Sequence, residues 1–124
     1  MPKTIRELFD EKLNFVINNF DMYTVKDASF EFIFLNDDED KPAARPMFAY
    51  IECPLYRDQI LVQYEYSDST CTATQITLTI KNPIEMRLVF NPARYSTAID
   101  FIIKLNPKIL QIRDRKYRKY ISFE

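Results

Sequence analysis

There is no glycine in these 124 residues. Glycine is the residue that reaches positive φ without steric cost, so every chain reversal here has to be made by something else. Three Asn-Pro dipeptides, Asn82-Pro83, Asn91-Pro92 and Asn106-Pro107, stand where the hydrophobic pattern changes. Asn supplies local side-chain bonding or a left-handed residue, and Pro stops the element before it. The same absence removes functions. A P-loop, a dinucleotide GxGxxG loop and a GxSxG nucleophile elbow each need backbone that only glycine allows.

Histidine is absent as well. With it go the usual general base near neutral pH, the Ser-His and Cys-His nucleophile pairs and the commonest transition-metal ligand. Much of ordinary enzymology is thereby closed to the chain, and no cofactor is expected.

The length and a 47% hydrophobic content suit one domain over residues 1–124 with its own core. A net charge of −1 gives no whole-molecule field toward nucleic acid or an anionic membrane. The charge is divided, however: residues 1–62 carry 7 Lys/Arg against 12 Asp/Glu, and residues 63–124 carry 10 against 6. Such halves mark a partner surface or compensate each other side by side. "MPKTIRELFDEK" is charged throughout, unlike a signal peptide, and no membrane-length apolar run occurs. The expectation is a cytoplasmic protein that does not enter membranes. Cys53 and Cys71 then read as reduced, part-buried thiols, with a disulfide as the alternative.

Residues 4–20 predict a helix. Thr4 and Glu7 form a T-x-x-E capping box. Ile5, Leu8, Phe9, Leu13, Val16, Ile17 and Phe20 recur at three- and four-residue steps as one apolar stripe. Phe15 falls off it and is a candidate contact beyond the domain's own core.

After Asp21 the period changes to two. Residues 23–25 begin a strand, and "SFEFIFL" (29–35) forms one with Phe30, Phe32 and Phe34 on one face and Ile33 and Leu35 on the other. Apolar on both faces, it reads as a central strand. "NDDEDKPAARP" (36–46) reads as an acidic loop. Further strands are expected at 47–53, 59–66, 74–81 and 84–90. In the last two, Ile76, Leu78 and Ile80, then Ile84, Met86, Leu88 and Phe90, alternate with a wetter face, as in a meander packed on a helix.

Beyond Asn91, Ser96 or Thr97 caps a short helix ended by Asn106-Pro107. Asn106 then caps, and Pro107 opens, a final helix to about Ser122. On a helical wheel Ile109, Leu110, Ile112, Tyr117, Tyr120 and Ile121 share one half. A hairpin of "KILQIR" with "KYISFE" is the competing reading, although it would turn at 114–116 without Gly, Asn or Pro.

Four patterns bear on chemistry. Asn36, Asp38 and Asp40 alternate as in an EF-hand, but Lys41 stands where the loop needs Gly and Met47 where it needs Glu. A solvated acidic loop, with Asp37, Asp38, Glu39 and Asp40 as a contact for a basic partner, is expected instead of a metal site. "FEFIF" lacks the basic, glycine-bearing start and open face of an RNA-stacking strand, so core packing accounts for it. Asp100 with Asp114-Arg115-Lys116 loosely matches the D…D-x-K pattern of metal-dependent nucleases.

The fourth is "RDRKYRKY" (113–120), five cations and two tyrosines in eight residues. In helical phase Arg115, Arg118 and Lys119 face water, Arg113 and Lys116 lie at the margin, and Tyr117 and Tyr120 turn toward the core. The segment is an amphipathic helix end, or a phosphate-contacting surface with strong salt dependence.

These readings predict an α+β fold: an N-terminal amphipathic helix, a mainly antiparallel sheet of five to six strands and C-terminal helical elements. The expected function is a small non-enzymatic protein-protein interaction or assembly module, binding another protein or itself. The composition suits phage or mobile-element accessory and virion proteins, which would place it in host cytoplasm or a virion. The alternatives are nucleic-acid binding through Arg113, Arg115, Lys116, Arg118 and Lys119, and the D…D-x-K nuclease.

Overall fold

The computed structural model describes residues 2–33, 43–68, 70, 72–81 and 84–116. Helix α1 (Ile5–Asn18) opens the fold and is followed by β1 (Thr24–Ile33), β2 (Ala43–Cys53), β3 (Asp58–Glu65), β4 (Gln75–Ile80) and β5 (Met86–Phe90). Helix α2 (Ser96–Lys116) closes it. The five strands pair antiparallel in chain order, an uncrossed meander, so the α+β architecture is as expected.

Alternation along each strand puts one face of every strand into the same core. Ile51, Ile60, Ile80 and Met86 stand opposite one another across four strands, and Ala28, Ala49, Val62, Leu78 and Leu88 form the next row. Onto these rows α1 lays Phe9, Leu13 and Val16, and α2 lays Ala98, Phe101, Leu105, Ile109 and Ile112. Each fully buried large apolar side chain contributes about 1.5–3 kcal/mol. The two helices are also tied by polar contacts. The Tyr95 hydroxyl donates to Asp10 (2.6 Å), with the Arg6 guanidinium 3.5 Å from the ring centroid. Lys108 donates to the Phe20 and Tyr23 carbonyls at the exit of α1.

The capping box is formed: Glu7 N–H donates to Thr4 Oγ1 (3.1 Å) and Thr4 N–H to Glu7 Oε1 (3.3 Å). Thr4→Ala is therefore expected to cost about 0.5–2 kcal/mol in urea unfolding with the native spectrum unchanged. An unaltered midpoint would mean that α1 is held by its buried stripe alone. Ile5 is the one member of the predicted stripe that is exposed, because it precedes the turn that meets the sheet.

Four expectations are corrected. The first aromatic strand, β1, is an edge strand of the described sheet: β2 is its only pairing partner, and Glu31 is exposed. Two register shifts, at Val25/Asp27 and Ser29/Phe30, break simple alternation along it. The predicted loop ends sooner, since Ala43–Pro46 already belong to β2. Pro46 pairs with Phe30, whereas β3 joins β2 only from Phe48 onward, so this stretch has one partner strand, where sheets accept proline.

The third correction concerns Asn106-Pro107, which is not a boundary. One helix runs through it, with Pro107 inside. An interior proline costs about 3 kcal/mol, but the buried residues 98, 101, 105, 109 and 112 keep helical phase across it and are core on both sides. Ile103, whose carbonyl loses its partner, is on the solvent side at 61% exposure. Fourth, the hairpin alternative is overturned over 113–116, which is helical. Residues 117–124, with Tyr117, Tyr120 and Ile121, lie outside the described residues, as do Phe34, Leu35 and Cys71.

Without glycine, one reversal is made at a strained position. Arg57, between β2 and β3, has φ 55°, the only positive φ among the described residues. Asn91, in contrast, is extended and turns the chain by accepting the Ala93 N–H on its side chain (2.9 Å). Cys53 is a free, buried thiol. Among the described residues no helix is long and apolar enough to cross a membrane.

Candidate functional site

The helices occupy one face of the sheet, and the reverse face carries two mixed rows. One runs Asp27, Tyr50, Leu61, Thr79, Arg87 and the other Ser29, Phe48, Gln63, Thr77, Val89, each residue opposite the next across the ladder. Phe48, Tyr50 and Leu61 are half-buried and Val89 is 51% exposed. Thr79 sits deep between Leu61 and Arg87, its hydroxyl without a partner among the described residues. Tyr50 donates to Glu52 (3.3 Å); burial first, then that carboxylate, raise its pKa. Lys26 and Glu52 pair at 3.7 Å beside it. This face presents aromatic and aliphatic area inside a charged border, the makeup of protein-binding surfaces.

The basic segment is divided by the structure. Arg113 is half-buried and paired with its neighbour Asp114 (3.0 Å). Lys116 reaches back to β1, donating to Asp27 (2.8 Å) and to the Ala28 carbonyl (2.6 Å). That contact, then the Ala28 N–H, lowers the pKa of Asp27. Arg115 is exposed and makes no ion pair among the described residues. Arg118 and Lys119 lie outside the described residues, as do Asp37, Asp38, Glu39 and Asp40 of the acidic loop. Asp100 and Asp114 do not converge. Both are on α2, and 14 residues of helix separate them by about 21 Å, too far to share a metal ion. Among the described residues no group of three or more Cys, Asp or Glu side chains is placed to hold a metal.

A buried polar network that sequence reasoning missed lies under α1. Asp58, the first residue of β3, is buried and accepts from both Lys12 Nζ and the Tyr23 hydroxyl. Its partners are 46 and 35 residues away, so no local pattern could reveal it. Desolvation, then the hydrogen bond to Asp58, push the Tyr23 hydroxyl pKa far up, which keeps it protonated as a donor. With every charge answered, the network orients α1 on the sheet.

A hollow of about 380 Å³ lies between α2 and the near ends of β2, β3 and β4. On α2 the residues Ile102, Asn106, Leu110 and Arg113 flank it, the stripe next to the buried one. On the sheet Tyr64, Tyr66 and Ile76 form its floor. Tyr66 is clamped: its hydroxyl donates to the Pro46 carbonyl (2.6 Å) and the Arg45 guanidinium lies 4.2 Å from its ring centroid. Arg45 in turn holds Glu31 and the Asp68 and Thr70 carbonyls. Tyr64, in phase with Ile60 and Val62 on the buried face, has a hydroxyl shut from solvent with no hydrogen-bond partner among the described residues. Desolvation raises its pKa strongly, so it stays a neutral donor. A second hollow, about 320 Å³, is lined by Leu8, Phe15, Ile84 and Met86, but its charges Glu11 and Lys12 are already paired with Lys3 and Asp58. Phe15 there packs edge-on against Tyr56 at 4.9 Å.

No family model matches this chain, and neither a curated protein nor a solved structure matches it significantly.

Proposed function

We propose that the chain is a small interaction module without catalytic chemistry of its own, which binds a protein partner or a second copy of itself through the open face of its sheet. The observation that carries this reading is the pair of rows holding Phe48, Tyr50, Leu61 and Val89, apolar and aromatic side chains on a face that no described helix covers. Aromatic anchors inside a polar rim dominate binding energies at such surfaces. The nucleic-acid reading has less support. Arg113 and Lys116 are engaged within the fold, which leaves Arg115 as the free cation of the described part of the segment. Few phosphate contacts give weak, salt-sensitive affinity.

Light scattering and co-purification from native extract test the proposal. The protein is expected in an assembly heavier than its 14.8 kDa monomer. Val89→Glu is expected to return it to monomer mass while changing stability by no more than about 0.5 kcal/mol, as at other exposed positions. A wild-type protein that is strictly monomeric and captures nothing retires the reading. Low-salt DNA binding lost in Arg115→Ala would favour the nucleic-acid alternative.

A further inference from the structure

We infer that the outer edge of β5 is a self-association site, at which a second copy of this chain lays its own β5 antiparallel to the first and the sheet continues across a twofold axis at Met86. The contact is an edge and its backbone groups, and it does not rest on the open-face reading.

Three observations carry the inference. The first is the direction of the backbone. Lys81 N–H donates to the Gln59 carbonyl (3.1 Å), and the register of β3 with β4 sets these two residues opposite each other. Alternation in an antiparallel ladder then turns the backbone of Ile76, Leu78 and Ile80 toward β5, where Phe90, Leu88 and Met86 answer it. The N–H and C=O groups of Arg87 and Val89 therefore point away from the sheet, and no described strand takes them. The opposite edge is guarded, since β1 carries two register shifts and Lys116 occupies its Ala28 carbonyl. β5 has neither a shift nor a proline.

The second observation says what pairs there. Ile84-Glu85-Met86-Arg87-Leu88 is complementary to its own reverse. With Met86 of two copies face to face, Glu85 of each stands opposite Arg87 of the other, and Ile84 opposite Leu88. Glu85 and Arg87 are exposed and make no ion pair among the described residues, so both charges are available. An axis at Arg87 would set that cation against itself, and one at Leu88 would leave it opposite Val89, so the charges select Met86.

The third is apolar area on the helix side of the same edge. Ile84 is 58% exposed, Phe15 is exposed too, and with Leu8 and Met86 they line the hollow of about 320 Å³. An axis normal to the sheet keeps both helix layers on one side, so each copy brings Leu88 onto the other's Ile84 and its own α1 beside the junction. A single extended peptide would take the backbone groups and leave that area open.

Sedimentation velocity over a concentration series of the full chain tests this. The parent is expected to reach twice its 14.8 kDa mass. Arg87→Glu and Glu85→Arg each set like charges opposite one another at two places in the junction, so each alone is expected to weaken dimerisation about tenfold or more. Mixed one-to-one, the two variants restore opposite charges at both places and are expected to form a heterodimer about as tight as the parent, a result that misfolded variants cannot give. Phe48→Ala, on the open face of β2, is expected to leave the dimer intact. Monomers from Phe48→Ala with the charge variants still paired would move the contact to the open face and sink the edge. A parent that stays monomeric up to about 1 mM, single variants that dimerise like the parent, or a mixture that stays monomeric would each overturn the inference.

Discussion

Replacing Asp58 by alanine is expected to destabilise the protein by about 3 kcal/mol, the lower end of the range for breaking a buried ion pair. The change strands two groups at once. The Tyr23 hydroxyl, buried at 1% exposure, loses its acceptor, and Lys12 loses its counter-charge. Lys12 keeps the cost from rising further, since its side chain is 14% exposed and its ammonium can reach water along a flexible stem. Against a typical total of about 5–15 kcal/mol this is a large fraction. Urea unfolding measures it. A triple replacement, Asp58→Leu with Lys12→Met and Tyr23→Phe, is expected to recover most of the loss, because it removes all three polar groups together. A cost below about 1 kcal/mol for Asp58→Ala would mean that the network does not hold α1 to β3.

The second large effect is alkaline. Tyr23, Tyr64 and Tyr95 each have a hydroxyl pKa raised, in every case first by desolvation. For Tyr23 and Tyr95 the bonds to Asp58 and Asp10 add to it. In the unfolded chain a tyrosine titrates near about pH 10. Above that pH the unfolded chain gives up protons that the folded one retains, so it binds fewer protons and stability falls as pH rises. Below it the contribution is fully present. Each tyrosine lowers stability by about 1.4 kcal/mol per pH unit in this window, and three together by about 4. The urea midpoint should therefore change little up to about pH 9 and collapse within one or two units above about pH 10. Tyr64→Phe should remove about one third of that slope. A midpoint unchanged from about pH 9 to pH 11 would contradict the protonated burial of these rings.

On the open face Phe48, Tyr50, Leu61 and Val89 lie on β2, β3 and β5 in a pleated array, which suits a broad contact.

Local pattern was enough for α1, whose capping box and apolar steps are complete within 17 residues, and for β4 and for Met86, Leu88 and Phe90 of β5, whose alternation matches the register found, but not for Ile84, which precedes β5 and is 58% exposed. It was enough, too, for the antiparallel meander, because consecutive strands with one wet face and short connections pair with their neighbours. It failed where a local rule competed with packing. Asn106-Pro107 carries every sign of a helix boundary, but the core beneath α2 runs continuously from Ala98 to Ile112, and burial on both sides outweighs one missing hydrogen bond. The aromatic strand reads as central from its two apolar faces, yet position in a sheet is set by which strands find it, and among the described residues only β2 does.

By itself, then, the sequence excluded motifs built on glycine or histidine and marked the buried faces of α1 and β4. Both follow from residue type and short-range period: no glycine, no histidine, and apolar steps of two or of three and four. Only the tertiary structure decided where the charges and hydroxyls go. Asp58 meets Lys12 and Tyr23, Lys116 meets Asp27, and the Tyr64 hydroxyl meets no partner among the described residues. Partners of a buried polar group are chosen by how distant segments pack, and that information is carried by no window of neighbouring residues.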